Sequence, residues 1–120
     1  MPLFGKGKEK ETGGLLQGYE GLSVEKVPTK PFDSQCEGEI GAVVRNDEIQ
    51  LFYTGITSDI SQGDKKSQAI CVSGGAVYEL SVKGTGEHLV LGSKKPIKAG
   101  DATIYFRSGD EKRVFGLTIT

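Results

Sequence analysis

The stretch from Ser67 to Phe106 constrains the fold more than any other part of the chain. It contains three or four short runs of β-branched, aliphatic and aromatic residues. These runs are separated by Gly-Gly, Lys-Gly-Thr-Gly, Lys-Lys-Pro and Ala-Gly-Asp, which are typical of turns between consecutive antiparallel strands. The stretch therefore predicts the wall of a small all-β body, and no residue in it points to reaction chemistry.

Similar patterns extend this wall in both directions. A hairpin is predicted from Glu39–Arg45 and Glu48–Thr54, closed by Asn46-Asp47 in a two-residue primed turn. Further strands are predicted at residues 68–73, 76–82, 87–91, 102–107 and 112–119. About seven strands at roughly ten-residue intervals favour a small antiparallel barrel or sandwich. Alternation within the first hairpin leads us to expect Ile49, Leu51 and Tyr53 on one core face.

The N-terminal residues 1–34 differ in composition from the rest. They contain six glycines, three prolines and a mixed-charge cluster, with apolar residues only singly or in pairs. Val27-Pro28 and Lys30-Pro31 favour extended backbone and remove two amide donors, which excludes an inner strand. The sequence thus predicts an extended N-terminal arm, residues 1–34, followed by a β-barrel or sandwich domain, residues 35–120.

Such an arm is long enough to leave its own subunit. Extended, it reaches on the order of 100 Å, whereas a body of about 85 residues is about 30 Å across. We expect Leu15, Leu16, Tyr19 and Leu22 to contact a neighbouring subunit, because they gain most from burial. The alternatives, a disordered tail or an arm lying on its own domain, stay open at this point.

Charge and hydropathy exclude several classes of partner. Fifteen basic and sixteen acidic side chains leave a net charge of −1, so no general field attracts the chain to nucleic acid or to an anionic membrane. The start of the chain has lysines but no apolar run after them, and we expect neither a signal peptide nor a membrane span. The sequence therefore places the chain in a cytosol or in an assembly formed there.

Few residues point to catalysis or to metal binding. His88 is the only histidine, which excludes a multi-histidine metal site. Cys36 and Cys71 are not spaced as a metal clip; we interpret them as two reduced thiols, and a bridge between them is the alternative. Gly84-Thr85-Gly86 lacks the spacing of a phosphate cradle and is interpreted as a turn. We expect no catalytic residue, cofactor or metal.

The C-terminal half of the chain carries a family resemblance. The segments GGAVYELSV, PIKAGDATIYF and GDEKRVFGLTIT resemble the small β-barrel decoration, or cement, proteins of tailed bacteriophage capsids. The resemblance implies a non-enzymatic virion protein on the capsid exterior, assembled in the host cytoplasm, commonly trimeric, and bracing neighbouring capsomers. Its partners would be the major capsid protein and copies of itself. Lys94, Lys95 and Lys98 are then expected to face an acidic shell.

Two other interpretations of the sequence rest on different residues. A carbohydrate- or ligand-binding β-sandwich module requires an exposed aromatic row, for which Tyr53, Tyr78 and Tyr105 are the candidates. Separately, LFYTG and QAICVS resemble one blade of the five-bladed propeller glycosidases that act on fructans. A blade needs its siblings to close a core, and 120 residues are too few to supply them.

Overall fold

A computed structural model describes residues 18–31, 38–57, 60 and 67–120. Over these residues the protein is all-β, with nine strands in one curled sheet that forms a half-barrel. The strands are β1 (Val24–Lys26), β2 (Thr29–Lys30), β3 (Gly41–Arg45), β4 (Glu48–Phe52), β5 (Ser67–Ser73), β6 (Ala76–Gly84), β7 (His88–Ser93), β8 (Gly100–Ser108) and β9 (Glu111–Ile119). The predicted fold class is confirmed, and β3 to β9 match the seven predicted strands within about two residues.

The sheet has the order β1-β9-β8-β5-β6-β7-β4-β3-β2. All pairings among β3 to β9 are antiparallel. The β5–β6 hairpin turns at Gly74-Gly75, where both residues have the positive φ that a two-residue primed turn requires. The hairpins therefore follow the glycine pattern of the sequence.

Strands β1 and β2 belong to one segment but occupy opposite edges of the sheet. β1 pairs in parallel with β9, and β2 pairs in parallel with β3. The change of partner falls at Val27-Pro28: the Val27 amide donates to the Gly116 carbonyl at 2.8 Å, and the Pro28 carbonyl accepts from the Ala42 amide at 2.9 Å. Proline has no N–H to leave unpaired at the switch. Residues 24–30 therefore bring the two sheet edges together. The sequence did not predict strands in this segment.

The core lies on the concave face of the curled sheet. Alternate residues of each long strand point into it, as the period of two predicts. Phe106 and Phe115 are its largest fully buried side chains, and Ile56 and Ile97, from loops at opposite ends, complete it. In β6 this alternation buries Tyr78, Leu80 and Val82, and in β9 it buries Phe115, Leu117 and Ile119.

Two local predictions for the first hairpin are wrong. The hairpin closes at Asn46-Asp47, but neither residue has positive φ, so the turn is not of the primed class. Its two carbonyls instead accept the amides of Ile97 at 2.6 Å and Ser93 at 2.9 Å. Tyr53 is not in the core: it is 39% exposed and its φ is 55°. The alternation that buries Ile49 and Leu51 stops there because β4 ends at Phe52.

A single arginine links the N-terminal segment to the last strand. The Arg113 guanidinium donates to both carboxylate oxygens of Glu25, at 2.5 and 2.6 Å, and to the Thr54 carbonyl at 2.7 Å. It also lies 5.3 Å from the Phe115 ring centroid and pairs with Glu111. The Glu25 hydrogen bonds raise the pKa of Arg113 above its ordinary value. This bidentate pair therefore fixes β1 against β9 in one geometry.

We predict that Arg113→Lys lowers the free energy of unfolding by about 1–2 kcal/mol, because a lysine cannot form the fork to Glu25. Arg45→Lys is the matched control: the Arg45–Asp47 pair is more than half exposed on both sides, so we expect a change below about 0.5 kcal/mol. Urea denaturation measures both. Hydrogen exchange should show faster exchange of the Val27 amide in Arg113→Lys. Equal stability losses in the two variants would contradict the role given to Arg113.

Candidate interaction surface

Two of the four arm residues that the sequence predicted to be contacts lie in the described part of the chain, and these two differ in exposure. Leu15 and Leu16 lie outside the described residues. Tyr19 is only 6% exposed, whereas Leu22 is 40% exposed. Residues 18–30 therefore lie on their own subunit, with one of the predicted contacts turned inwards and one turned to solvent. The assignment of these residues to an intersubunit interface stays a prediction.

Tyr19 anchors the segment on the convex face of the sheet. Its ring packs edge to face on Tyr105, with ring centroids 5.3 Å apart and an interplanar angle of 71°. Next to it the Lys112 ammonium donates to the Gly18 carbonyl at 3.3 Å. The Tyr19 hydroxyl is buried and has no hydrogen-bond partner among the described residues. Burial raises the pKa of Tyr19 above its ordinary value, and the positive charge of Arg107 opposes that shift.

Leu22 and Val24 form an exposed apolar pair, which we call the N-terminal patch. Val24 is 51% exposed although it belongs to β1, where it pairs with Val114. The Val24 side chain packs over Gly116, where an added Cβ would lie 3.0 Å from Val24 Cγ1. Val24 was not among the predicted contacts. Leu22, whose amide donates to the Tyr19 carbonyl at 3.3 Å, ends the turn that precedes β1.

A groove of about 450 Å³ lies beside Val24. Val27, Pro28 and Leu117 supply its apolar lining, and Lys26 and Asp101 are its charged residues. The groove lies along the point at which residues 24–30 stop pairing with β9 and begin to pair with β3. Val24 belongs both to the N-terminal patch and to the lining of the groove, so the two features adjoin.

The second predicted set, Lys94, Lys95 and Lys98, is exposed on the loop between β7 and β8. We call these residues the lysine loop. No ion pair involves any of the three lysines within the described part of the chain. Their charges are therefore available to an acidic partner.

The lysine loop is held firmly to the body. Ile97, within it, is 3% exposed and donates its amide to Asn46. The Lys98 amide donates to the Tyr78 hydroxyl at 3.1 Å, and the Lys98 carbonyl accepts from the Ser73 hydroxyl at 2.7 Å. These bonds fix the backbone, so the lysines project from a defined platform and binding would order only their side chains.

His88 lies in a surface cluster on the convex face. Its ring stacks on Phe52, with centroids 4.5 Å apart and an interplanar angle of 12°. Its Nε2 lies 2.7 Å from the Gln50 side-chain oxygen, and Gln50 in turn donates to Glu48 at 2.6 Å. His88 is the first residue of β7.

The other groups that can ligate metals do not converge. The described residues contain no group of three or more His, Cys, Asp or Glu side chains placed to hold a metal ion. Cys71 is a fully buried free thiol, and burial raises its pKa to about 12. Cys36 lies outside the described residues. In the described ranges we find no helix of the length and hydropathy that crossing a membrane requires.

The three tyrosines proposed as a carbohydrate platform lie apart from one another. Tyr78 faces the core and is 8% exposed, with its hydroxyl bonded to Lys98. Tyr105 is on the convex face, half-buried against Tyr19. Tyr53 alone of the three is exposed. The exposed row that a sandwich-type carbohydrate module requires is not formed by these residues.

The orphan hydroxyl of Tyr19 makes a paired test of the anchor possible. We expect Tyr19→Phe to leave the free energy of unfolding unchanged or to raise it by up to about 1 kcal/mol, because it removes a buried polar atom that has no partner. Tyr78→Phe should lower it by about 1 kcal/mol, since the Lys98 amide loses its acceptor. Urea denaturation of both variants provides the comparison, and equal losses would contradict it.

Tyr19 also gives the stability of the fold a pH dependence. Because the folded-state pKa of Tyr19 is raised, the unfolded chain loses its proton first as the pH rises above about 10. Unfolding then releases a proton, so stability falls from that pH upwards. Tyr19→Phe should show a smaller decline between neutral and alkaline pH than the unmodified protein. An identical decline would show that Tyr19 ionises as easily folded as unfolded.

Comparison with known proteins adds no relative to this description. No family model, no curated protein and no solved structure significantly matches the chain.

Proposed function

We propose that this chain is a non-enzymatic structural protein of a tailed phage virion, which decorates the capsid exterior and braces neighbouring capsomers. Its partners are the major capsid protein and copies of itself, and it requires no cofactor. One observation carries the proposal: the N-terminal patch leaves two large apolar side chains, Leu22 at 40% and Val24 at 51%, exposed on a segment that is otherwise anchored to the sheet.

The exposure of this pair is costly unless a partner covers it. Complete burial of a Val or Leu side chain is worth about 1.5–3 kcal/mol. Leu22 and Val24 retain about half of their exposed area, so each gains about 1 kcal/mol on docking. The adjoining groove offers further apolar area at the exposed Pro28. In the sequence, Leu15 and Leu16 precede the patch and supply two further apolar contacts for the same partner.

The lysine loop supplies a second contact on the same body. Val24 pairs with Val114, which pairs with Tyr105 on β8, whereas the lysine loop ends just before Gly100, where β8 begins. The distance from Gly100 to Tyr105 along the strand is about 17 Å. A rigid body with two separate contacts is able to link two capsomers. Two weak contacts on one rigid body act at high effective concentration, which raises the overall affinity without any strong single contact.

The proposal is tested with the full-length chain and capsids of the phage whose genome encodes it. We expect the chain to sediment with purified capsids in a saturable manner. The double variant Leu22→Asp with Val24→Asp should bind at least about tenfold more weakly, which corresponds to about 1.4 kcal/mol. Ser23→Asp is the matched control, because it adds a charge between the two positions at an exposed residue without removing an apolar side chain.

The lysine loop has its own control in the same assay. Reversal of charge at Lys94, Lys95 and Lys98 to Glu should weaken capsid binding and its salt dependence, whereas Lys83→Glu, an exposed residue on β6, should not. Absence of binding by the unmodified chain would refute the capsid role. Unchanged binding by the Leu22 and Val24 double variant would refute the N-terminal patch as the docking surface.

A further inference from the structure

Tyr53 has a backbone conformation that its side chain disfavours. It is the one non-glycine residue in the described part of the chain with a positive φ, at 55°. A bulky residue in the left-handed region is strained, and such strain persists only where neighbouring contacts impose it. Here the Tyr53 amide donates to the Glu87 carbonyl at 3.0 Å, and the next residue, Thr54, donates both its amide and its hydroxyl to the Gly86 carbonyl. These bonds turn the Tyr53 ring out of the core.

The ring borders a cleft of about 650 Å³ at this end of the barrel. One wall is formed by residues 53–57 and the other by residues 84–87. Ile56, 7% exposed, provides a buried apolar surface. Gly86 permits the walls to approach, because an added Cβ there would overlap the Ile56 carbonyl oxygen. The volume is within the range of about 300–1,000 Å³ that is usual for ligand pockets.

Glu87 is the charged side chain that lines this cleft among the described residues. It is exposed, and its carboxylate has no hydrogen bond or ion pair to a described group. The Tyr53–Glu87 backbone bond continues the β4–β7 ladder, in which Phe52 pairs with His88, so the two residues lie side by side. Arg113, which donates to the carbonyl of Thr54 next to Tyr53, is bonded to Glu25 as well. An aromatic face and an unneutralised carboxylate therefore lie beside an apolar surface.

We propose that this cleft binds an arginine side chain presented by a partner protein. The guanidinium plane stacks on the exposed Tyr53 ring and donates hydrogen bonds to the Glu87 carboxylate, while the methylene stem packs towards Ile56. Charge complementarity selects a cation, and an aromatic face beside a carboxylate suits the planar, forked guanidinium better than an ammonium group. This binding site does not depend on the capsid role proposed above.

The strain at Tyr53 supports this assignment. Glycine adopts a φ of 55° without steric cost, so a chain selected for stability alone would carry glycine there. Strained residues are concentrated at functional sites, where activity and stability compete. The tyrosine therefore contributes a ring at this position at the expense of backbone strain.

The experiment is a titration of the ¹⁵N-labelled full-length protein with N-acetyl-arginine amide, followed by NMR. We expect saturable shifts, in the millimolar range typical of so small a ligand, at the amides of residues 53–57 and 84–87. N-acetyl-citrulline amide, which has the same shape without the charge, should bind at least about fivefold more weakly, because the attraction to Glu87 is lost. N-acetyl-lysine amide should also bind more weakly than the arginine ligand.

Three variants complete the test. Glu87→Gln should weaken arginine binding at least about fivefold, whereas Glu79→Gln, at an exposed position on β6, should leave it unchanged. Tyr53→Gly should unfold at the same or a higher urea concentration and yet lose the arginine response. Absence of saturable shifts, equal binding of citrulline, or full binding by Glu87→Gln would overturn the proposal. Equal binding of lysine would overturn the assignment to arginine.

Discussion

Closure of the curled sheet by residues 24–30 is the constraint on which the other features depend. The strands β3 and β9 would otherwise present unpaired edges, which attract pairing with other chains. One segment pairs with both edges because it changes partner at Val27-Pro28. Pro28 has no backbone N–H, so no donor is left unpaired at this point. The Glu25–Arg113 pair and the Tyr19–Tyr105 contact hold this segment in place. An N-terminal region with the composition of a linker is thus part of the β body.

The same arrangement determines which groups face solvent. Tyr19 is buried within the subunit, so the large apolar side chains left exposed on the segment are Leu22 and Val24, two residues apart. Elsewhere on the body, hydrogen bonds from Ile97 and Lys98 fix the loop that carries Lys94, Lys95 and Lys98, which form no ion pair with a described residue. Both surfaces are therefore presented by rigid backbone, which reduces the entropy lost on binding. They suit a protein that acts through contacts with other proteins.

Local patterns made most of the sheet predictable. Glycine pairs such as Gly74-Gly75 identify turns by their conformational freedom, and alternation in segments such as residues 78–82 identifies the face that meets the core. The exposed lysine loop also followed from its position between two strands. These inferences need only neighbouring residues, because the alternation of a strand and the residue types of a turn are both visible within a few consecutive positions.

The features that sequence reasoning missed depend on distant partners. Nothing local in Val24–Lys30 indicates pairing with β9 and β3, and two X-Pro pairs are as typical of a linker as of an edge. Tyr53 continues the alternation of Ile49 and Leu51, yet the carbonyls of Gly86 and Glu87 impose a different backbone there. The cleft beside Tyr53 was missed for the same reason, because its two walls are about thirty residues apart in the chain.

Parallel pairing of β1 with β9 also sets the order in which the molecule can be completed. Glu25 and Arg113 are 88 positions apart, so a ribosome synthesises the first strand long before the last one exists. Pairings between such distant residues form slowly, because a large loop must be closed first. Until translation of β9 is finished, β1 lacks the strand with which it pairs, and Arg113 is absent. The nascent chain therefore passes through a period with open sheet edges, during which newly made copies are most prone to associate incorrectly.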